Sequence, residues 1–333
     1  MDNDTLIEDI SPITFHPSVQ QQITAALIIF IAGIIGIFFN LSGLLLSFRV
    51  RALRSSFGYL TAAHCAANVG VLSVFVAWAA PLSVFNFAAH DGLLGVRIGQ
   101  LSLYFWFAGL YSQLFIALNR FCLLFTAGCY QSVFTRRTPY VIAAYWAWCL
   151  VHYSVYFGNG CDFFFNRDAF YWQFSTSQCG ALLGFWLDFI FGCTICVIVL
   201  MLDAICVYSV HRSNNILSGS LDSVEKRKRS KKEAQFILQA ACTGVLFTVM
   251  LVSFHVISRF VSGLWPSFIT TTFMWEFAHL GDGLILFAFN AELREALLSP
   301  RLFFSLGSIN SRTTSRMLAV NSVSVGVLRS TAT

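Results

Sequence analysis

Seven stretches of this chain, approximately Ile23 to Phe48, Tyr59 to Phe85, Ile98 to Phe125, Tyr140 to Phe157, Ala181 to Val210, Phe236 to Phe260 and Ser267 to Phe289, are apolar almost throughout. A bilayer core of about 30 Å is crossed by roughly 20 residues rising about 1.5 Å each. Hydrocarbon offers the backbone no water to bond, so a lone stretch of this kind must bond itself as a helix. The sequence therefore predicts an all-α membrane protein, a seven-transmembrane helix bundle, with the lipid bilayer as its principal partner. With 57% hydrophobic and 11% charged residues, the composition lies outside the soluble range.

Sidedness follows from the loops, because short cytoplasmic connections retain Lys and Arg. Arg49, Arg51 and Arg54 follow the first span, Arg120, Arg136 and Arg137 flank the loop after the third, and Arg212 and Lys226 to Lys232 crowd the loop after the fifth. Arg294, Arg301, Arg312, Arg316 and Arg329 lie in the tail, and only Arg97, Arg167 and Arg259 fall on the other face. The amino terminus is thus expected outside and the carboxyl terminus in the cytoplasm. Residues 1–22 make an extracellular tail, residues 23–298 the membrane domain with a short cytoplasmic amphipathic helix at 291–299, and residues 300–333 a cytoplasmic tail expected to be disordered. The amino-terminal tail carries Asp2, Asp4, Glu8 and Asp9 and lacks the basic start of a cleavable signal, so the first span is expected to direct insertion. Asn3-Asp4-Thr5 is a sequon that makes Asn3 a candidate glycosylation site. The basic residues are confined to loops and form no continuous stripe, which argues against a nucleic-acid partner. Ser213 to Lys232 is polar and poorly patterned, and reads as a mobile cytoplasmic segment.

Cys161 and Cys179 are the cysteines of the outer loops, where the compartment is oxidising, and they are predicted to form a disulfide; the alternative is two free thiols sharing a loop. Such a bridge would staple an aromatic cover, Phe163 to Phe165 with Trp172 and Phe174, over the mouth of the bundle.

Polar side chains at membrane depth are costly and are functional candidates by default. Counted from the cytoplasmic ends, Asn40, Asn68 and Asp282 lie at one level, about 11 to 14 Å deep, and can form one polar switch cluster or bond separately to nearby backbone. Gln100, Trp106, Trp186, His255, Trp275 and Glu276 are the candidates for a ligand pocket, chosen for depth and polarity; Asp188 lies at a similar depth to Glu276. Packing is the alternative for each. Although His279 and Asp282 share a helix face, no two His recur at i, i+4, and neither a nucleophile elbow nor a phosphate loop is present. No enzyme, metal or cofactor is expected.

The third span ends in Leu118-Asn119-Arg120-Phe121, and with a basic third inner loop and an outside amino terminus the chain resembles the G protein-coupled receptors. It is most similar to the nematode serpentine chemoreceptors of class X, through Arg54-Ser55-Ser56-Phe57-Gly58, Ile116-Ala117-Leu118-Asn119-Arg120-Phe121, Cys161-Asp162-Phe163, Asp282-Gly283 and Phe289-Asn290-Ala291-Glu292-Leu293-Arg294. The resemblance implies that Asn119, Arg120 and Phe121 face a heterotrimeric G protein, with Arg120 lacking an adjacent carboxylate to lock it. It also implies a small-molecule chemosensory ligand, a multi-pass place in the plasma membrane, and a sensory-neuron cilium. Span six lacks the Trp-x-Pro turn, span five lacks a proline, and span three lacks the cysteine that rhodopsin-like receptors carry. The rival reading is a seven-span ligand-gated channel or transporter, which predicts a ring of pore charge or repeated broken helices.

Overall fold

The structure, a computed structural model, describes residues 16–50, 53–85, 92–216 and 223–299. The Asn3 sequon, most of the 1–22 tail and the 300–333 tail lie outside these residues. Residues 1–294 form one compact unit that holds the bundle; of the second, residues 295–333, the described part is the end of a helix and Ser299.

Seven long helices run through the described residues. They are α1 (Val19–Arg49), α2 (Ser56–Val84, with a π segment at Phe75–Ala79), α3 (Leu93–Phe125) and α4 (Thr138–Ser154). After them come α5 (Gln178–Leu182 and Phe191–Ile216 about a π segment, Leu183–Ile190), α6 (Ser223–His255) and α7 (Leu264–Phe268 and Met274–Phe289 about a π segment, Ile269–Phe273). A short α8 (Ala291–Leu298) follows, its first turn capped by Asn290 Oδ1, which accepts from the Leu293 N–H at 3.2 Å. The start of α1 is set by a capping box, in which Ser18 Oγ accepts from Gln21 N and the Gln21 side chain accepts from Ser18 N. Five helices are long and apolar enough by themselves to cross a membrane. The other two are α4, which is helical for only 17 residues before its 3-10 end, and α7, whose Glu276, His279 and Asp282 lower its hydropathy.

The stretch Ser213 to Lys232, read as a mobile loop, is helical through Ile216 and again from Ser223. Lys, Arg, Glu and Gln are strong helix formers, so a polar sequence prolongs a helix into water as readily as it ends one.

In the bundle α3 packs against α2, α4 and α5, α1 packs on α2 and α7, and α6 lies between α5 and α7. Of the five apolar spans α3 is the most buried and α1 the least. Ile23, Leu27, Phe30, Ile31, Ile34 and Phe38 of α1 are exposed, an apolar surface that belongs in lipid. Gly33, Gly36 and Gly43 form its buried face, letting α2 and α7 approach.

The expected aromatic cover takes the form of a hairpin, β1 (Phe163–Asn166) pairing antiparallel with β2 (Tyr171–Phe174), Phe163 opposite Phe174. Asn166 Oδ1 closes its turn by accepting from Asp168 N and Ala169 N. The Cys161–Cys179 disulfide is present at its base, and Trp172 N donates to Thr272 Oγ1 of α7 at 3.3 Å. The hairpin lies directly on α3 at Gly99, where a Cβ would sit 2.1 Å from the Phe163 carbonyl oxygen and 3.0 Å from Phe164 Cα. Gly99→Ala is therefore expected to lift the hairpin and cost about 1–3 kcal/mol, measured as lower thermal stability of the solubilised protein. Gly109→Ala is the control, because its Cβ would meet nothing nearer than Ala67 Cβ at 3.8 Å; it should be neutral or mildly stabilising.

Candidate functional site

Two polar nodes and one ion pair run through the bundle from its outer to its inner side. The outer node is Asp188, buried in the π segment of α5. Its Oδ1 accepts from Trp106 Nε1 of α3 at 2.8 Å and its Oδ2 from His255 Nε2 of α6 at 2.9 Å. A cavity of about 10 Å³ opens beside it, lined by Leu103, Trp106, Phe163, Phe254, His255 and Trp275 among others. Aromatic rings fill the rest of the space: Trp275 meets Phe75 at 5.2 Å, Phe163 at 5.7 Å and Trp172 at 5.9 Å between centroids.

The inner node is Asp282 of α7. Its Oδ2 accepts from His64 Nε2 and Asn68 Nδ2, each at 2.7 Å, and its Oδ1 from Thr243 Oγ1 of α6 at 3.0 Å. Asn68 Nδ2 also donates to Asn40 Oδ1 at 2.9 Å, and Asn40 Nδ2 donates to the carbonyls of Gly36 and His279. His279 donates through Nδ1 to Asn68 Oδ1 at 2.8 Å, and His64 Nδ1 reaches the Gly109 carbonyl of α3 at 3.2 Å. Five helices, α1, α2, α3, α6 and α7, thus share one hydrogen-bonded cluster at a depth where no bulk water competes. Rings lie between the nodes: Trp106 stacks on Phe247 at 5.7 Å, and both lie edge-on to His279, at 6.0 and 5.4 Å.

Below the inner node, Arg120 Nη2 of α3 lies 3.1 Å from Asp203 Oδ1 and 3.2 Å from Oδ2 of α5. A cavity of about 50 Å³ separates this pair from Asp282, lined also by Thr61, Gln113, Gln239 and Thr243, and is large enough for ordered water. Asn119 Nδ2 donates to Ser56 Oγ, which is 3.0 Å from Tyr130 OH of the following loop. Phe121 packs on Phe125, with ring centroids 4.8 Å apart and planes tilted by 30°.

The structure brings Asn40, Asn68 and Asp282 together, and adds His64, His279 and Thr243. It gathers Trp106, His255 and Trp275 at the outer cavity, but not the other three candidates. Gln100 is bonded to the Tyr156 carbonyl and to Arg97, at the end of α4. Trp186 turns outward and is 60% exposed. Glu276 is fully buried with both carboxylate oxygens unpaired, and faces α1 near Gly33 instead of Asp188. Arg120 does lack an acidic neighbour in sequence, yet α5 supplies one in Asp203. Asp203 is missing from the candidates read from the sequence; like Asp188 it is an acid inside the apolar fifth stretch, and that is the signal that points to it. Among the described residues no three His, Cys, Asp or Glu side chains gather as a metal set.

Known proteins place this geometry. Squid rhodopsin, in its crystal structure, superposes with a TM-score of 0.63 over 90% of this chain and 94% of its own, at 16% identity, which shows the shared seven-helix fold. Serpentine receptor class X 45 of Caenorhabditis elegans is 28% identical over 302 residues, covering 83% of this chain and 81% of that protein. Serpentine receptor class X-43 of the same organism is 26% identical over 290 residues, covering 82% and 86%. The family is one of receptors and not of enzymes. Residues 30–290 match the family described as serpentine type 7TM GPCR chemoreceptor Srx, and the chain belongs to that family of multi-pass membrane receptors.

Proposed function

We propose that this receptor binds an external small molecule beside Asp188 and, in response, activates a heterotrimeric G protein at the face around Asn119, Arg120 and Phe121. The observation that carries the reading is the series of contacts from Asp188 through Trp106, Phe247, His279 and Asn68 to Asp282, ending near the Arg120–Asp203 pair. A ligand acts only through its different affinity for two states. One that displaces a ring of the outer cavity, or competes for Asp188, changes the packing of Trp106 and hence of the inner node. A hydrogen-bond donor with a flat apolar body fits the lining residues. Residence in the plasma membrane, and in a sensory cilium, accords with such a role.

The test is expression with a panel of G proteins and a screen of small metabolites. Arg120→Ala should abolish nucleotide exchange on the G protein while surface expression persists. Asp203→Ala frees Arg120, and if the pair holds the resting state by about 1–2 kcal/mol, basal exchange should rise roughly 5- to 30-fold. An ionic current that survives removal of the G proteins would instead favour a channel.

A further inference from the structure

The sulfur atoms of Cys122 and Cys129 lie 3.6 Å apart on the cytoplasmic side. Cys122 occupies the last turn of α3, two residues beyond Arg120, in an apolar cluster with Leu60, Phe134 and Tyr145. The chain bends at Thr126, and Cys129 ends the first turn, Ala127–Cys129, of a helical segment that continues as a π helix, Tyr130–Thr135; no residue of that first turn is buried. Among the described residues Cys129 is the exposed free cysteine. One thiol is therefore reachable from the cytoplasm and the other is held in van der Waals contact behind it. Closing to the disulfide length of about 2.05 Å asks the unburied turn that carries Cys129 to approach the end of α3.

We propose that Cys122 and Cys129 are a peroxide-sensitive thiol pair that closes reversibly to a disulfide across the start of the second inner loop. The Cys129 thiolate attacks one oxygen of hydrogen peroxide; the O–O bond breaks, hydroxide leaves, and Cys129 becomes a sulfenic acid. The Cys122 sulfur, losing its proton, then attacks the Cys129 sulfur; the S–O bond breaks and the oxygen departs as water. Two thiols and one peroxide give one disulfide and two waters, and a cellular dithiol restores the pair. Transient bridges of this kind are the form in which disulfides occur in a reducing cytosol. The bridge would tie the loop bearing Tyr130 to the end of α3, beside Asn119 and Arg120. Its effect on signalling rests on the proposed G protein contact; the thiol chemistry does not.

The experiment treats membranes containing the full chain with graded hydrogen peroxide, alkylates the remaining thiols, and maps Cys122 and Cys129 by peptide mass. In the wild type both should lose alkylation together, as a linked species two hydrogens lighter that dithiothreitol reverts. In Cys122→Ala, Cys129 should stop at the sulfenic acid and be captured by dimedone, whereas in Cys129→Ala the thiol of Cys122 should stay alkylatable. The proposal is overturned if wild-type Cys129 oxidises while Cys122 remains alkylated, or if both stay reduced at doses that oxidise Cys129 in Cys122→Ala. It is likewise overturned if dimedone captures no Cys129 in that variant. These readouts are independent of coupling, so loss of G protein activation and loss of the bridge are separately visible.

Discussion

Asp282→Ala is expected to lower the stability of the solubilised receptor by about 3–5 kcal/mol, since each buried donor that loses its acceptor costs about 1–3 kcal/mol. The substitution takes an acceptor from three donors, His64 Nε2, Asn68 Nδ2 and Thr243 Oγ1, all within 3.0 Å of the carboxylate, of which Asn68 Nδ2 keeps its second bond, to Asn40 Oδ1. Were these ordinary interhelical bonds, each would contribute roughly 0.6 kcal/mol, and the loss would be nearer 2. The melting temperature, which moves by about 2–4 °C per kcal/mol in large domains, discriminates between the two. Asp282→Asn preserves the shape and one acceptor oxygen, so its loss should be intermediate. A His64→Ala/Asp282→Ala cycle should show a coupling above about 0.5 kcal/mol, as expected of groups in one network. An Asp282→Ala protein melting with the wild type would remove Asp282 from the centre of the bundle.

The second large effect is expected for Asp188→Ala. Trp106 Nε1 and His255 Nε2 would each lose their acceptor, at about 1–3 kcal/mol for each buried donor left unpaired. The rings of the outer cavity are packed against one another, so little solvent can enter to compensate. Asp188→Asn retains one oxygen and should keep the Trp106 bond, losing about half as much. In the receptor assay Asp188→Ala should weaken the response to any agonist that acts beside Trp106, whereas Trp186→Ala, on the outward face, should leave it unchanged. Equal responses from wild type and Asp188→Ala would move the binding site elsewhere.

Much of the bundle can be read from the residues, because lipid imposes two strong conditions, length and sidedness. The seven stretches, the basic inner face and the oxidised Cys161–Cys179 pair follow from these. Depth is equally legible, since a helix rises uniformly, and that is why Asn40, Asn68 and Asp282 could be set at one level. Direction around the helix axis is not legible, because spans apolar on all sides give no face to orient by. Trp186 and Asp188 lie two residues apart, one toward lipid and the other toward the core. Glu276 and His279 occupy one helix, but only His279 joins the inner node. The hairpin was hidden for a related reason: Phe163-Phe164-Phe165 carries no alternation of polar and apolar residues to mark a strand.

The wide turns in α2, α5 and α7 have a geometric consequence for their outer ends. A residue accommodated in a π turn leaves the flanking segments aligned in space although the count along the chain has advanced by one, about 100° of ordinary helix. The two ends of each such helix therefore keep separate angular phases, and one helical wheel drawn through both misplaces every position on one side. Deleting a single residue inside Leu183–Ile190 should restore regular geometry and keep Phe191 and its successors in place. The same deletion a turn further inward would swing the whole outer end, Asp188 included, away from its partners.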